Sequence, residues 1–255
     1  MEKVIEVQNL SLTYHSKQGE TLALNNLNFD VHQGEFVSIV GPSGCGKTTI
    51  LSILAGLLQP SKGSVLVNND VPKTKNSQCG YMFQRDNLLP WRTIEKNVLI
   101  GLEIQGKNTQ ENKKRALDLL DKYGLGDFKR KRPDELSGGM RQRVALIRTL
   151  ALNPSILLLD EPFSALDYQT RLNVCDDVAN IIKQEKKTAI LVTHDLQEAI
   201  SMSDRIFVLT KRPASIKAIH KTKFDKTLTP FQKRQTMEAE QLFNTLWGEI
   251  QDEEK

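Results

Sequence analysis

The hydrophobic pattern near the start of the chain predicts short strands. Apolar and polar positions alternate over residues 4–7, 10–14 and 22–29, which is the two-residue period of strands with one buried face. Residues 36–40 are apolar except for Ser38, as in a strand that is buried on both faces. We therefore expect several short strands, followed by one buried strand.

Two later apolar runs predict further buried strands. Residues 156–159 follow Asn153 and Pro154, and residues 188–192 follow a polar stretch. Strands that are buried on both faces are typical of a parallel sheet covered by helices. The pattern therefore predicts the α/β class.

The chain between the first and second buried strands has the period of helices. Apolar residues recur at helical spacing over residues 93–123 and 138–152, and glycines interrupt the pattern between these two segments. We interpret residues 85–150 as a helical subdomain that is inserted in the α/β core.

The C-terminal segment is charged and predicts a terminal helix. The predicted boundary divides the chain into residues 1–221 and a helical extension at residues 222–255. Six apolar residues of the extension are expected on or near one face of the helix, packed on the core: Phe231, Met237, Leu242, Phe243, Leu246 and Trp247.

The composition excludes several classes of protein. With 39% hydrophobic and 26% charged residues, a chain of 255 residues is expected to form one large globular domain. No apolar run approaches the roughly 18 residues of a spanning helix, and the opening MEKVIEVQNL is charged where a signal peptide is apolar. We therefore expect a protein that is neither inserted in a membrane nor exported.

Cysteine usage and charge exclude two further classes. Cys45, Cys79 and Cys175 are far apart and form no CxxC pair, which argues against a disulfide or zinc framework. The net charge is only +4, and the basic cluster at residues 129–132 has no interleaved aromatic residues. We interpret this cluster as a solvated loop and expect no nucleic-acid partner.

A phosphate-binding motif follows the first buried strand. GPSGCGKTT matches GxxxxGK[ST], and an apolar segment at residues 50–58 predicts the helix that this motif requires. The glycines allow backbone N–H groups to face an anion, Lys47 reaches phosphates, and the Thr48 hydroxyl can bind Mg²⁺. The predicted phosphate-binding residues are Gly41, Pro42, Ser43, Gly44, Cys45, Gly46, Lys47, Thr48 and Thr49, with Cys45 filling space.

Polar side chains follow the other two buried strands. Asp160 and Glu161 end the run ILLLDEP, and His194 follows residues 188–192. At the carboxyl end of a parallel strand, Asp160 is suited to hold Mg²⁺ and Glu161 to polarise an attacking water. His194 is expected to donate a hydrogen bond to a terminal phosphate, whereas a lone histidine is more often a packing or capping residue.

A second helix start is suited to an anion. In LSGGMRQR, Ser137 is a natural N-cap, and Gly138 and Gly139 open a helix. Together with the phosphate loop, ILLLDEP, SALD and THD, this segment resembles the ATP-binding cassette (ABC) family over about residues 1–220. The resemblance implies a P-loop NTPase (RecA-like) core with an N-terminal antiparallel β subdomain and an inserted helical subdomain.

The resemblance also implies a composite site that hydrolyses ATP with Mg²⁺. In a head-to-tail homodimer, the segment that begins at Ser137 closes over ATP held by the phosphate loop of the other chain. It further implies that Gln84 senses the γ phosphate and Mg²⁺, that Asp167 communicates across the dimer, and that Tyr14 stacks on adenine. Aromatic residues are also common in strands, so Tyr14 has a structural alternative.

Two segments resemble one group of transporters. NLLPWRTIEKNV follows Gln84, and KRPASI lies at residues 211–216. Both are similar to segments of the nitrate, sulfonate and taurine importers, a group that also includes carriers of vitamin precursors. This resemblance implies permease subunits that dock near Gln84 to Trp91, an extracytoplasmic substrate-binding protein, and a peripheral position on the cytoplasmic membrane face. Leu88 to Trp91 are either exposed for docking or part of the subdomain core.

Three other functions remain open at this point. An exporter ATPase with separate membrane subunits has the same motifs. A soluble ABC ATPase acting on nucleic acid or ribosomes usually carries two cassettes or a long coiled-coil insertion. A module that senses ATP without hydrolysing it is expected to lack the glutamate or the histidine, and this chain has both Glu161 and His194.

Overall fold

The computed structural model describes residues 2–17, 19–73, 78–225 and 227–254. The strands are β1 (Lys3–Ser16), β2 (Gly19–His32), β3 (Phe36–Val40), β4 (Lys62–Val67), β5 (Cys79–Met82), β6 (Ile156–Asp160), β7 (Thr188–Val192), β8 (Arg205–Leu209) and β9 (Ile216–Lys221). The α-helices are α1 (Lys47–Leu54), α2 (Ile94–Ile104), α3 (Gln110–Lys122), α4 (Gly138–Leu150), α5 (Tyr168–Gln184), α6 (Leu196–Met202), α7 (Pro230–Lys233) and α8 (Met237–Glu254). Within these ranges, no helix has the length and apolar character needed to cross a membrane.

The strands form two sheets. The larger sheet has the order β5-β6-β7-β3-β8-β9, and all neighbouring pairs are parallel except β8 and β9. Every residue of β3, β6 and β7 is buried, because α4 and α5 pack on one face of these central strands and α1 packs with β1, β2 and β4 on the other. The predicted parallel sheet and the three predicted buried strands are confirmed.

The smaller sheet is antiparallel and has the order β2-β1-β4. The two strands predicted at residues 4–7 and 10–14 are one strand, β1, because the register shifts between Val7 and Leu10 around Asn9, whose φ is 50°. Such a bulge lets one strand continue while its alternation of buried faces is reset. The predicted antiparallel β subdomain is present.

Helix α1 was predicted from the apolar segment at residues 50–58, with its end near Gly56 and Pro60. It begins at Lys47, directly after the glycine loop, and its last regular residue is Leu54. Gly56 then adopts φ 72°, the left-handed conformation that commonly ends helices. The predicted helix end near Gly56 and Pro60 is confirmed at Gly56, whereas the predicted start was too late because it followed the first apolar residues.

Helices α2, α3 and α4 lie between β5 and β6 in the chain, and their apolar faces share one core cluster with the sheet. The helical pattern over residues 93–123 is two helices, since the chain turns at Gly106, whose φ is 65°. Thr93, Thr109 and Ser137 cap the three helices by accepting hydrogen bonds from backbone N–H groups.

Helix α8 packs on α6 and β8 through only part of the predicted apolar face. Leu246 is buried, and Leu242 and Phe243 pack against the same cluster. Met237 is 71% exposed, Trp247 is 50% exposed, and Phe231 lies in α7 rather than in α8. The predicted terminal helix is therefore confirmed, but three of its six expected core residues are wrong. The limits of the C-terminal extension stay a prediction.

Candidate functional site

The carboxyl ends of three neighbouring strands bring the candidate residues together. Strand β7 lies between β6 and β3, and all three run parallel. The phosphate loop follows β3, Asp160 and Glu161 end β6, and His194 follows β7. Because parallel strands end at the same edge of a sheet, these segments converge at one place, as the sequence predicted.

A cavity of about 600 Å³ lies above the phosphate loop. Its wall contains most of the loop together with the two catalytic candidates and part of the C-terminal region. The lining residues are Gly41, Pro42, Ser43, Gly44, Gly46, Lys47, Thr48, Thr49, Glu161, His194, Leu196, Arg212, Trp247 and Ile250. Nucleotide-sized ligands occupy cavities of this volume.

The loop has the backbone conformation of an anion cradle. Gly46 adopts φ 121°, and a Cβ there would lie 2.8 Å from Cδ2 of Leu24, so only glycine fits. The ammonium of Lys47 is buried and donates to the carbonyl oxygens of Gly41 and Pro42 at 2.8 and 2.9 Å. The lysine is thereby held across the loop, at the base of the cavity, where a phosphate would take over its donors.

Oxygen ligands suited to Mg²⁺ meet beside the loop. The Thr48 hydroxyl donates to Oδ1 of Asp160 at 3.0 Å, and the Tyr81 hydroxyl donates to Oδ2 of the same carboxylate at 2.9 Å. Burial raises the pKa of Asp160 despite these two hydrogen bonds. A hydroxyl and a single carboxylate are the ligands that proteins offer to Mg²⁺ when phosphates complete its shell, so the residues fit this ion.

Tyr81 was missed by the sequence reasoning. It lies on β5, next to β6, and its hydroxyl holds the Asp160 side chain in place. Burial and the nearby Asp160 carboxylate raise the pKa of Tyr81, so its hydroxyl keeps its proton and remains a donor. A tyrosine one strand away from a carboxylate gives no signal in the local sequence.

Glu161 and His194 contact each other at the cavity wall. Oε2 of Glu161 lies 3.0 Å from Nδ1 of His194. Glu161 has φ 45°, and its N–H donates to the carbonyl oxygen of Val192 on β7 at 2.8 Å. The backbone therefore turns sharply at the end of β6 and directs the carboxylate into the cavity. A positive φ at a non-glycine residue often marks a functional position.

Glu198 supports the segment that carries His194, and sequence reasoning missed it as well. It is buried in α6 and accepts a hydrogen bond of 2.6 Å from the hydroxyl of Thr193. Burial raises its pKa to about 7 with a smaller contribution from Asp195, although the hydrogen bond from Thr193 and the charges of Arg171 and Arg234 oppose the shift. At neutral pH this carboxyl group is therefore only partly ionised.

The raised pKa predicts a pH-dependent stability. In the folded chain, Glu198 keeps its proton up to about pH 7, whereas the ordinary pKa of a glutamate is 4.5. The free energy of unfolding therefore falls as the pH rises between these two values. Between pH 5 and pH 8, we expect this group to lower the free energy of unfolding of the wild type by about 2 to 3 kcal/mol. Glu198→Gln should lack this part of the fall. Urea denaturation at both pH values measures this difference.

Glu185→Gln is the matched control for this prediction. Although burial opposes its ionisation, hydrogen bonds from Lys122 and Tyr123 hold the pKa of Glu185 below its ordinary value. Because Glu185 is already ionised in this window, Glu185→Gln should show the same fall in the free energy of unfolding between pH 5 and pH 8 as the wild type. A wild-type curve that keeps a constant offset from Glu198→Gln between pH 5 and pH 8 would contradict the account.

Three further predicted residues lie around the cavity rather than in its wall. The Gln84 amide donates to Oγ of Ser164 at 3.1 Å, and that hydroxyl bonds the carbonyl oxygen of Glu161. The Tyr14 hydroxyl lies 3.0 Å from Oγ1 of Thr49, and Tyr14 is 42% exposed. Cys45 is buried, and burial raises the pKa of its thiol, as suits a space-filling residue.

The segment that begins at Ser137 lies outside the cavity of its own chain. Ser137 accepts a hydrogen bond from the N–H of Met140 at 3.3 Å and caps α4. A Cβ at Gly139 would lie 2.8 Å from Cγ2 of Val174, so this glycine also permits close packing of α4 on α5. Asp167 caps α5 by accepting from the N–H of Thr170 at 3.0 Å.

The segment around Trp91 is held in a fixed shape. The buried side chain of Asn97 donates to the carbonyl oxygens of Leu89, Arg92 and Thr93 and accepts from the N–H of Leu89. Leu88 is buried in the core, whereas Trp91 is 69% exposed. Both alternatives therefore hold for part of this segment: Leu88 belongs to the core, and Pro90 and Trp91 are exposed.

Comparison with known proteins connects this site to one family. The family model described as ABC transporter matches residues 24–164. The chain is 50% identical over 252 residues to the ABC transporter ATP-binding protein YtlC of Bacillus subtilis, across 98% of this chain and 97% of YtlC. It is 36% identical over 241 residues to the aliphatic sulfonates import ATP-binding protein SsuB of Bacillus thuringiensis, across 93% and 95% of the two chains.

A solved structure is similar in both sequence and fold. A dimeric, post-hydrolysis structure of the ATP-binding cassette MJ0796, bound to ADP and Pi, superposes with a TM-score of 0.72. It is 35% identical in sequence, and the match covers 87% of this chain and all of the other.

Proposed function

Because the chain belongs to the ABC transporter family, we propose that it is the subunit that binds and hydrolyses ATP to drive a membrane transporter. The observation that carries the proposal is the single cavity lined by the phosphate loop, Glu161 and His194, with Thr48 and Asp160 bonded beside it. Phosphate release from MgATP by the purified chain tests it directly.

The phosphate loop and Lys47 bind the triphosphate. In the nucleotide-bound state, Lys47 would move its donors from the carbonyl oxygens of Gly41 and Pro42 to phosphate oxygens. Thr48 and Asp160 would hold Mg²⁺, and Gln84 is proposed to approach from the Ser164 side. When bound, Mg²⁺ would neutralise the negative charge that develops on the phosphate oxygens. Tyr14 is proposed to stack on the adenine, near Thr49.

Glu161 is the proposed general base. Its carboxylate reaches the cavity and accepts a proton from an attacking water, while His194, bonded to it at 3.0 Å, orients the carboxylate and can donate to the γ phosphate. The contact between these two side chains gives each a partner before nucleotide binds, so little reorganisation is needed when the reaction begins.

A second copy of the chain is proposed to complete each site. The helix start at Ser137 lies outside the chain's own cavity, and a single helix N-terminus contributes only about 0.3 to 2 kcal/mol toward an anion. Ser137 of the partner subunit, with the two glycines after it, would close over the γ phosphate, and Asp167 would lie near the interface. The dimeric state of MJ0796 with ADP and Pi supports this arrangement.

The transporter is proposed to be an importer of a small nutrient. SsuB is an import ATP-binding protein for aliphatic sulfonates, and the match covers nearly the full length of both chains. Cargo of the nitrate, sulfonate, taurine or vitamin-precursor kind fits the resemblance in residues 87–98 and 211–216. In this proposal permease subunits dock at the exposed Trp91, a substrate-binding protein delivers cargo outside the cell, and the chain lies on the cytoplasmic membrane face.

Replacing the exposed tryptophan tests the docking proposal. We expect Trp91→Glu to lose most of its association with the permease encoded by a neighbouring reading frame, because a carboxylate would be desolvated in an apolar contact. Nucleotide binding should be unchanged, since Trp91 does not line the cavity. Co-purification of the tagged chain with the co-expressed permease in detergent measures the loss.

Leu57→Glu is the matched control for this experiment. Leu57 is also a large apolar residue, 52% exposed, outside the Trp91 segment. Leu57→Glu should co-purify with the permease as the wild type does. Equal recovery of the permease by Trp91→Glu and the wild type would remove Trp91 from the interface.

A further inference from the structure

The loop between β8 and β9 contacts the phosphate loop. Nη2 of Arg212 donates to the carbonyl oxygen of Gly44 at 2.6 Å, although the two residues are 168 positions apart. Arg212 also lines the nucleotide cavity. It belongs to the segment KRPASI, which the ATPase mechanism described above does not use.

The C-terminal helix holds this loop from the other side. Oε2 of Glu253 accepts from the N–H of Lys211 at 3.1 Å, and Oε1 of Glu253 lies 2.9 Å from Nζ of Lys217 on β9. One turn earlier, a carboxylate oxygen of Glu249 lies 3.0 Å from Nε2 of His220. The acidic side of α8 is therefore fixed to the loop and to β9.

The same turns of α8 reach the cavity. Trp247 and Ile250 line it, and Trp247 is 50% exposed although its neighbour Leu246 is fully buried. An indole that is left half exposed beside a phosphate loop is not explained by core packing alone. The helix thus contacts the nucleotide cavity directly through two side chains and indirectly through Glu253, Lys211 and Arg212.

The Arg212 contact restricts the part of the loop that presents its amides. A peptide unit is planar, and its C=O and N–H point in opposite directions. When Arg212 fixes the carbonyl of Gly44, it also fixes the N–H of Cys45, which in this structure donates to the carbonyl oxygen of Pro42 at 3.3 Å across the turn. Gly44 has φ 70°, and a glycine without such a restraint has access to many backbone conformations.

We propose that Arg212 is a positioning residue of the nucleotide site and that α8, through Glu253, holds it on the phosphate loop. Trp247 forms the adjoining wall of the site and reports on its occupancy. The inference rests on the proposed ATPase function, because it concerns the same cavity. It assigns to the C-terminal helix a part in binding the polyphosphate of a nucleoside di- or triphosphate.

Calorimetric titration of the full chain with MgADP tests the role of Arg212. Arg212→Gln loses a hydrogen bond donated by a charged group. At this exposed site, we expect the loss to raise the Kd for MgADP about tenfold. Arg212→Lys, which keeps a charged donor, should recover part of the affinity, and Glu253→Gln should show a smaller rise. In ATP turnover by Arg212→Gln, the rise in KM should exceed the fall in kcat, because Arg212 contacts the phosphate loop rather than the reacting groups.

Arg130→Gln is the matched control, because Arg130 is an exposed arginine in the loop after α3. It should bind MgADP with the wild-type Kd. Equal Kd values for Arg212→Gln and Arg130→Gln would overturn the positioning role. Failure of the wild type itself to bind MgADP would instead overturn the proposed ATPase function and this inference with it.

The two tryptophans of the chain allow an independent readout. In Trp91→Phe, saturating MgADP should shift the fluorescence of Trp247, and in Trp247→Phe the remaining Trp91 should give no shift. With nucleotide binding verified by calorimetry in both variants, a silent Trp247 would overturn the placement of α8 at the site. A shift that persists in Trp247→Phe would do the same.

Discussion

Glu161→Gln is expected to lower ATP turnover by about 100- to 10,000-fold, the factor that a positioned general base typically contributes. The glutamine keeps the size of the side chain and can still contact His194, which lies 3.0 Å from the carboxylate in the wild type. The loss therefore falls on proton transfer rather than on the shape of the site. Phosphate release at saturating MgATP measures it.

Binding separates this effect from a damaged site. Calorimetry with MgATP should give a Kd for Glu161→Gln close to that of the wild type, because Lys47, Thr48 and the loop are unchanged. Glu185→Gln, which alters a glutamate paired with Lys122 on the surface, should hydrolyse ATP normally. Wild-type turnover by Glu161→Gln would remove Glu161 from the role of base.

Ser137→Arg is expected to reduce turnover by at least about 100-fold, as the loss of a preorganised donor group does in other sites. The long cation would occupy the space into which the cavity of the other chain must close. Ser137 lies outside the cavity of its own chain, so the Kd of the single chain for MgADP should not change. ATP turnover and MgADP titration of the same preparation measure the two quantities.

Ser137→Ala distinguishes blocked closure from a weakened helix. Both variants lose the cap that Ser137 provides to the N–H of Met140, at a cost of about 1 kcal/mol. Only the arginine adds bulk, so Ser137→Ala should retain the ATP-dependent dimer and Ser137→Arg should not. A dimer of normal stability in Ser137→Arg would show that this surface does not face a partner.

The sequence was sufficient wherever the chemistry lies in one short segment. The phosphate loop, the carboxylates after β6 and His194 after β7 follow buried strands of unmistakable pattern, and parallel pairing then places their ends together. The edge strands β4, β5 and β9 were not predicted, because strands with partly exposed residues resemble loops in composition. Strand β8 was also missed, although it is largely buried inside the larger sheet.

Contacts between distant segments were beyond the reach of the sequence. Tyr81 meets Asp160 across 79 positions, and Arg212 meets Gly44 across 168, so no local spacing marks either pair. Asn97 and Glu198 are polar residues on helices, where exposure is the ordinary expectation, yet both are buried and hold functional segments. Trp247 was expected in a core, but it lies at the nucleotide cavity.

The central claim is that two copies of this chain close around ATP, and light scattering tests it most directly. In Glu161→Gln, which binds MgATP without turning it over, the account predicts a particle of twice the 28.8 kDa chain mass with MgATP and of one chain mass without it. Adding Ser137→Arg to Glu161→Gln should return the mass to that of one chain. A single-chain mass for Glu161→Gln saturated with MgATP would contradict the composite site.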